Sequence, residues 1–102
     1  MYIYHITPLP AWRKALELGS YTADSFIKDG FIHCCTKEQT EFVLKTWFQG
    51  NSEELVILKI DPMFLSAEVK YEDSHGDGEL FPHIYGAINL DAVVNVISTE
   101  RK

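Results

Sequence analysis

The sequence predicts a single α+β domain over residues 1–102, a compact mixed or antiparallel split sheet of about five to six strands with two main helices. Two stretches carry helical periodicity, and both lie in the first half of the chain. Strand-type runs crowd the second half with no helix between them, which argues against a doubly wound parallel sheet. At 102 residues and 46% hydrophobic, the chain can bury a core without disulfides or metal. It contains no repeat, low-complexity segment or linker.

Residues 2–7, Tyr-Ile-Tyr-His-Ile-Thr, are β-branched and aromatic and read as a strand that places His5 and Thr7 side by side on one face. Pro8 and Pro10 end it and suit the first turn of a helix over 10–18, with Ala11, Trp12, Ala15 and Leu16 facing inward and Gly19 as its stop. Residues 20–30 read as a loop with one short helical turn, closed by Asp29-Gly30. Phe31-Ile-His-Cys-Cys35 reads as a second strand. Thr36 and Gln39 form a capping box for a helix over 37–49, whose Phe42, Val43, Leu44, Trp47 and Phe48 predict a broad buried stripe. Gly50-Asn51-Ser52 ends it.

Leu55–Ile60 is almost continuously apolar and predicts a central strand buried on both faces. Asp61-Pro62 opens a turn through Ser66. Residues 67–72 alternate, with Ala67, Val69 and Tyr71 predicted inward and Glu68, Lys70 and Glu72 outward. Residues 73–78 form a polar loop. In Glu79-Leu-Phe-Pro-His-Ile-Tyr-Gly86, an extended backbone puts Phe81, His83 and Tyr85 on one face. Pro82 lacks an N–H, which predicts an edge strand or a loop there and not a central strand. Gly86 predicts a φ that a side chain would resist. Leu90-Asp91 is a connector, Ala92–Ile97 reads as a last buried strand, and 99–102 is a charged tail.

Net charge is −6 and the nine basic residues are scattered, so duplex nucleic acid is not an expected partner. No apolar run approaches the roughly 20 residues of a membrane span, and the N-terminus lacks the pattern of a signal peptide. Neighbours on a strand point to opposite faces, so Cys34 and Cys35 predict free thiols and a reducing cytoplasm.

The candidate chemistry centres on histidine. His5, His33 and His83, together with Thr7, Glu79 and Tyr85, are candidates to line one cleft for a polar or anionic ligand. Taken singly, each imidazole also reads as a hydrogen-bonded core or surface residue. Cysteine and histidine can bind zinc, but the spacing of Cys34, Cys35 and the four histidines matches no zinc pattern, and no metal site is predicted. Asp73-Ser-His-Gly-Asp77-Gly78 imitates the start of a calcium loop, yet Ile84 stands where the closing carboxylate belongs. Nucleophilic use of Cys34 or Cys35 needs a lowered thiol pKa; small buried hydrophobes are the favoured reading.

Tyr4-His-Ile-Thr7, Gly30-Phe-Ile-His-Cys34, Leu55 through Asp61, Tyr71-Glu72 and Glu79 through Gly86 resemble the small bacterial family called domain of unknown function 952, over nearly the whole chain. Cys35 stands where the family often has Ser. The resemblance implies a compact relative of the ADP-ribosyltransferase fold, whose larger members hold NAD in the cleft of a split sheet. It implies His5 and Thr7 against a ribose, and His33 in the place of a second-strand histidine of the RNA 2′-phosphotransferase branch. Glu79, His83 and His33 would then be the catalytic candidates, with Glu79 or His83 in the place of the fold's catalytic acid, and His33, Cys34 and Tyr85 would lie against an NAD- or ADP-ribose-type ligand. The expected activity is an ADP-ribosyl- or phosphotransferase-like one. The alternative is a non-catalytic module that binds a metabolite or a protein partner.

Overall fold

In the computed structural model, which describes residues 1–48, 50, 53–73 and 76–99, three α-helices alternate with strands in the first half of the chain and five strands follow without an α-helix between them, eight strands in all among the described residues. They are β1 (Ile3–Pro8), α1 (Leu9–Leu18), β2 (Ser20–Tyr21), α2 (Asp24–Asp29), β3 (Ile32–His33), α3 (Thr40–Trp47), β4 (Leu55–Ile60), β5 (Glu68–Glu72), β6 (Phe81–Tyr85), β7 (Ile88–Asn89) and β8 (Val93–Ser98). Every strand pairing among the described residues is antiparallel. One sheet runs β1-β4-β8, a second runs β3-β6-β5, and β2 pairs with β7. His75, Asn51, Ser52 and the end of the charged tail lie outside the described residues.

The local reasons are those the sequence carries. Gly19 and Gly30 sit in the left-handed region at φ 90 and 83 and close α1 and α2, a conformation that a Cβ would strain. Thr36 and Gln39 make the capping box, which opens on a 3₁₀ turn over Lys37–Gln39 before α3 begins. β4 is the central strand of its sheet, with Leu55, Leu58 and Ile60 at 0% exposure. The main core lies under it and takes in Ile3, Trp12, Ala15, Ile32, Ile84 and Ile88.

The split in the sheet has an identifiable cause. Beyond β3, Cys34 donates its N–H to the Pro82 carbonyl of β6 at 3.0 Å, while Cys35 exchanges both backbone bonds with Tyr4 of β1, each 2.8 Å. The chain at 34–35 thus bridges the two three-stranded sheets. Pro82 has no N–H to return to Cys34, so the β3–β6 ladder stops there. On the other side, the His33 carbonyl takes its hydrogen from the side chain of His5, at 2.7 Å. The imidazole replaces a ladder bond between β1 and β3, and the sheets part beside it.

Five expectations are corrected. β6 is central, not an edge or loop: Pro82 fits because it falls at the end of its pairing with β3 and opposite Tyr71 of β5. Gly86 has no positive φ; it is there for space, since a Cβ would stand 2.8 Å from the Ala67 Cβ. The apolar stripe of α3 is not buried: no α3 residue is fully covered, and Phe42 and Trp47 are 55% and 57% exposed. β8 is an edge strand with Val94, Val96 and Ile97 exposed, and Tyr71, predicted inward, is exposed at the end of β5.

Candidate functional site

One face of the β3-β6-β5 sheet carries the polar groups. The register sets His83 between His33 on β3 and Lys70 on β5. Phe31 stacks on the His83 ring, with centroids 4.1 Å apart and planes 21° from parallel, and the His33 ring meets His83 edge-on at 5.3 Å. His83 is consequently only 1% exposed.

A carboxylate orients that ring. Glu72, at the end of β5, accepts from His83 Nδ1 at 2.8 Å and from the Tyr85 hydroxyl at 2.6 Å, both on the same oxygen. The Tyr85 bond, followed by that from His83, holds the Glu72 carboxyl below the usual carboxylate range. The same bond raises the phenol of Tyr85, because ionising it would put two negative oxygens in contact. The other ring nitrogen of His83, Nε2, is buried and has no hydrogen-bond partner among the described residues. A buried polar atom without a partner is uncommon in a folded protein and calls for an explanation.

His83 also lines a cavity of about 320 Å³ at the split between the two sheets. Tyr4, Cys35 and Phe81 form its floor, a small apolar cluster separate from the main core. Val43 and Trp47 of α3, Phe48 just after it and Ser25 of α2 also line it. His5, His33 and Cys34 complete the lining, which holds no Lys or Arg among the described residues.

The predicted residues divide accordingly. His5, His33, Cys34 and His83 meet at the cavity. His5 is fully engaged within the fold, however. A carbonyl only accepts, so Nδ1 carries the proton that goes to His33, and Nε2 accepts from the Tyr21 hydroxyl 2.8 Å away. The Thr7 hydroxyl, 2.8 Å from the Tyr21 oxygen, completes the chain behind the cavity wall. Burial pushes the His5 pKa down to about 4 against the opposing bond to His33, and pushes the Tyr21 phenol up to about 12. His33 is partly exposed and its Nε2 lies 3.0 Å from Asp29. Tyr85 bonds Glu72 and is not among the residues that line the cavity.

Glu79 is exposed and accepts from the Gln39 amide at 2.7 Å, outside the cavity. The acid that faces the histidine is Glu72, which the sequence reading placed outward and left out of the site. Its signal was the register: two alternating segments joined by a Gly-containing loop place Glu72 opposite Phe81, diagonal to His83. Burial raises the Cys34 thiol well above its ordinary value and the Cys35 thiol to about 12, so neither is an activated nucleophile. No metal-binding cluster of histidine, cysteine and carboxylate occurs among the described residues, and no helix there is long and apolar enough to cross a membrane.

Comparison with known proteins places this site in context. Protein CC0527 from Caulobacter crescentus has a crystal structure that superposes with a TM-score of 0.88 at 29% identity, covering 100% of this chain and 89% of that one. Its solution NMR structure gives 0.83 at 29% identity, covering 99% and 86%. No curated protein matches the chain. Residues 6–96 match the family described as "Protein of unknown function (DUF952)", and the chain belongs to that family.

Proposed function

We propose that the cavity at the split binds the ring-and-ribose end of a nucleotide-like small molecule of the NAD or ADP-ribose type. The observation that carries this reading is a mostly apolar cavity lined in part by His83, whose Nε2 is buried and has no partner among the described residues. Ligand sites are concave, mostly apolar and furnished with a few fixed polar groups, and about 320 Å³ lies at the small end of their range. That volume suits one base or nicotinamide-sized ring with part of its ribose, the rest of the ligand lying outside. The lack of Lys or Arg in the described lining argues against a phosphate inside and so favours glycosyl over phosphoryl transfer. The likeness of Tyr4-His5-Ile6-Thr7 and of the split sheet to the ADP-ribosyltransferase fold supports the same ligand class, as analogy alone. Two unpaired cysteines fit a cytoplasmic setting.

A transferase would use His83, oriented by Glu72, for proton transfer. The second reading is a non-catalytic module, favoured by the exposed Phe42 and Trp47 on the helix that closes the cavity, which could meet a protein partner. An NMR titration with adenosine, nicotinamide mononucleotide, ADP-ribose and NAD separates them. Shifts at Tyr4, His33, Cys35 and His83 support the nucleotide reading. Absence of shifts at millimolar ligand sinks it and leaves the α3 surface as the place to look for a partner.

A further inference from the structure

We propose that His83 is a fixed hydrogen-bond acceptor in the cavity wall, so that the site selects flat apolar rings bearing an N–H or O–H donor. The inference deepens the nucleotide reading by naming what the ring must present, and it rests on the cavity being a ligand site. Its first step is the direction of the bond to Glu72. That carboxylate already accepts the Tyr85 hydroxyl on the oxygen that faces His83, so the ring proton belongs on Nδ1. The neutral ring then carries a lone pair on Nε2. Phe31 stacked on its face and His33 at its edge hold the ring in place, and Nε2 is buried without a partner among the described residues.

The second step is the surroundings. Tyr4, Phe81, Val43 and Trp47 offer apolar contact to a planar ring. A donor on that ring satisfies Nε2, whereas an isostere with an oxygen at the same place sets lone pair against lone pair. Such an unpaired buried acceptor weakens binding by roughly 5- to 150-fold. Selection for a donor is therefore built from three side chains in sequence. Tyr85 holds Glu72, Glu72 fixes the tautomer of His83, and His83 reads the ligand.

The test uses indole and benzofuran, near-isosteres that differ in the N–H, with binding to the full chain followed by NMR. Indole is expected to bind at least about fivefold more tightly than benzofuran. In the free protein at about pH 8, ¹⁵N spectra are expected to show His83 with its proton on Nδ1. Glu72→Ala, which removes the acceptor that keeps the proton on Nδ1, is expected to populate the Nε2–H tautomer and to weaken or erase the preference while the fold remains. Equal affinities for the two probes, a proton on Nε2 in the natural protein, or binding of neither probe each overturns the proposal. Nucleotides that fail to bind while indole is still preferred would refute the nucleotide reading and leave the donor rule standing. Nucleotides that bind alongside equal affinities for the two probes would do the reverse.

Discussion

Acidification should destabilise this protein in a window set by His5. The ring is buried, and its pKa falls from 6.5 to about 4, chiefly by desolvation. The unfolded chain therefore takes up this proton near pH 6.5 and the native chain only near pH 4. Between those values the unfolded state binds more protons, and stability falls as the pH falls. Above pH 6.5 both states are neutral and His5 adds no slope. Taken through the whole window the loss is about 3 kcal/mol, a large share of the roughly 5–15 kcal/mol of a typical domain. Glu72, whose pKa is depressed, adds a loss of the same sign, but only below the ordinary carboxylate value of 4.5. The assay is urea unfolding followed by tryptophan fluorescence, in small steps from neutral pH to about 4. The comparison is His5→Gln, which can donate to the His33 carbonyl and accept from Tyr21 but does not titrate. The natural protein should lose about 3 kcal/mol more than the variant across the window. Parallel curves, or a His5 ring that titrates near its ordinary value by NMR, would refute the reasoning.

Three further outcomes follow from the same packing. Tyr21→Phe removes the hydroxyl shared by His5 and Thr7 and should cost about 1–3 kcal/mol in urea unfolding, with an unchanged m-value. Gly86→Ala should cost about 1–3 kcal/mol because the new methyl meets the Ala67 Cβ, and Ala67→Gly in the same chain should recover part of it, a coupling that a φ-based origin would not produce. Cys34 and Cys35 should resist iodoacetamide at about pH 8 in the native protein and react once it is unfolded, as mass spectrometry would show.

The sequence was most legible where a local rule and burial agree. Leu55–Ile60 is apolar except for Lys59 and is the central strand; Thr36 and Gln39 cap α3; Gly19 and Gly30 end their helices. It misled where an apolar pattern is only partly covered. The residues of α3 have helical periodicity, but the helix covers a cavity and leaves Phe42 and Trp47 in solvent. β8 has the composition of a core strand and occupies an edge. The site was half legible for a similar reason. Spacing could place Phe81, His83 and Tyr85 on one face, but pairing Glu72 and not Glu79 with His83 requires the register of β5 against β6. That register depends on a loop whose geometry the residue types alone leave open.

His5 shows how the fold and the site depend on one group. The bridge at 34–35 joins the sheets through Tyr4, and one residue further along β1 the His33 carbonyl is taken by the His5 side chain. A ladder continued past that point would bring β1 and β3 together and close the space that His33, Cys34 and His83 line. With the imidazole in place, the carbonyl is satisfied, the sheets stay apart and the cavity persists beside them. Both ring nitrogens of His5 are engaged, whereas the Nε2 of His83 across the same split is not. The two histidines thus differ in kind although the sequence presents them alike. His5 holds the opening, and its loss should be read in stability; His83 faces the opening, and its loss should be read in what binds there.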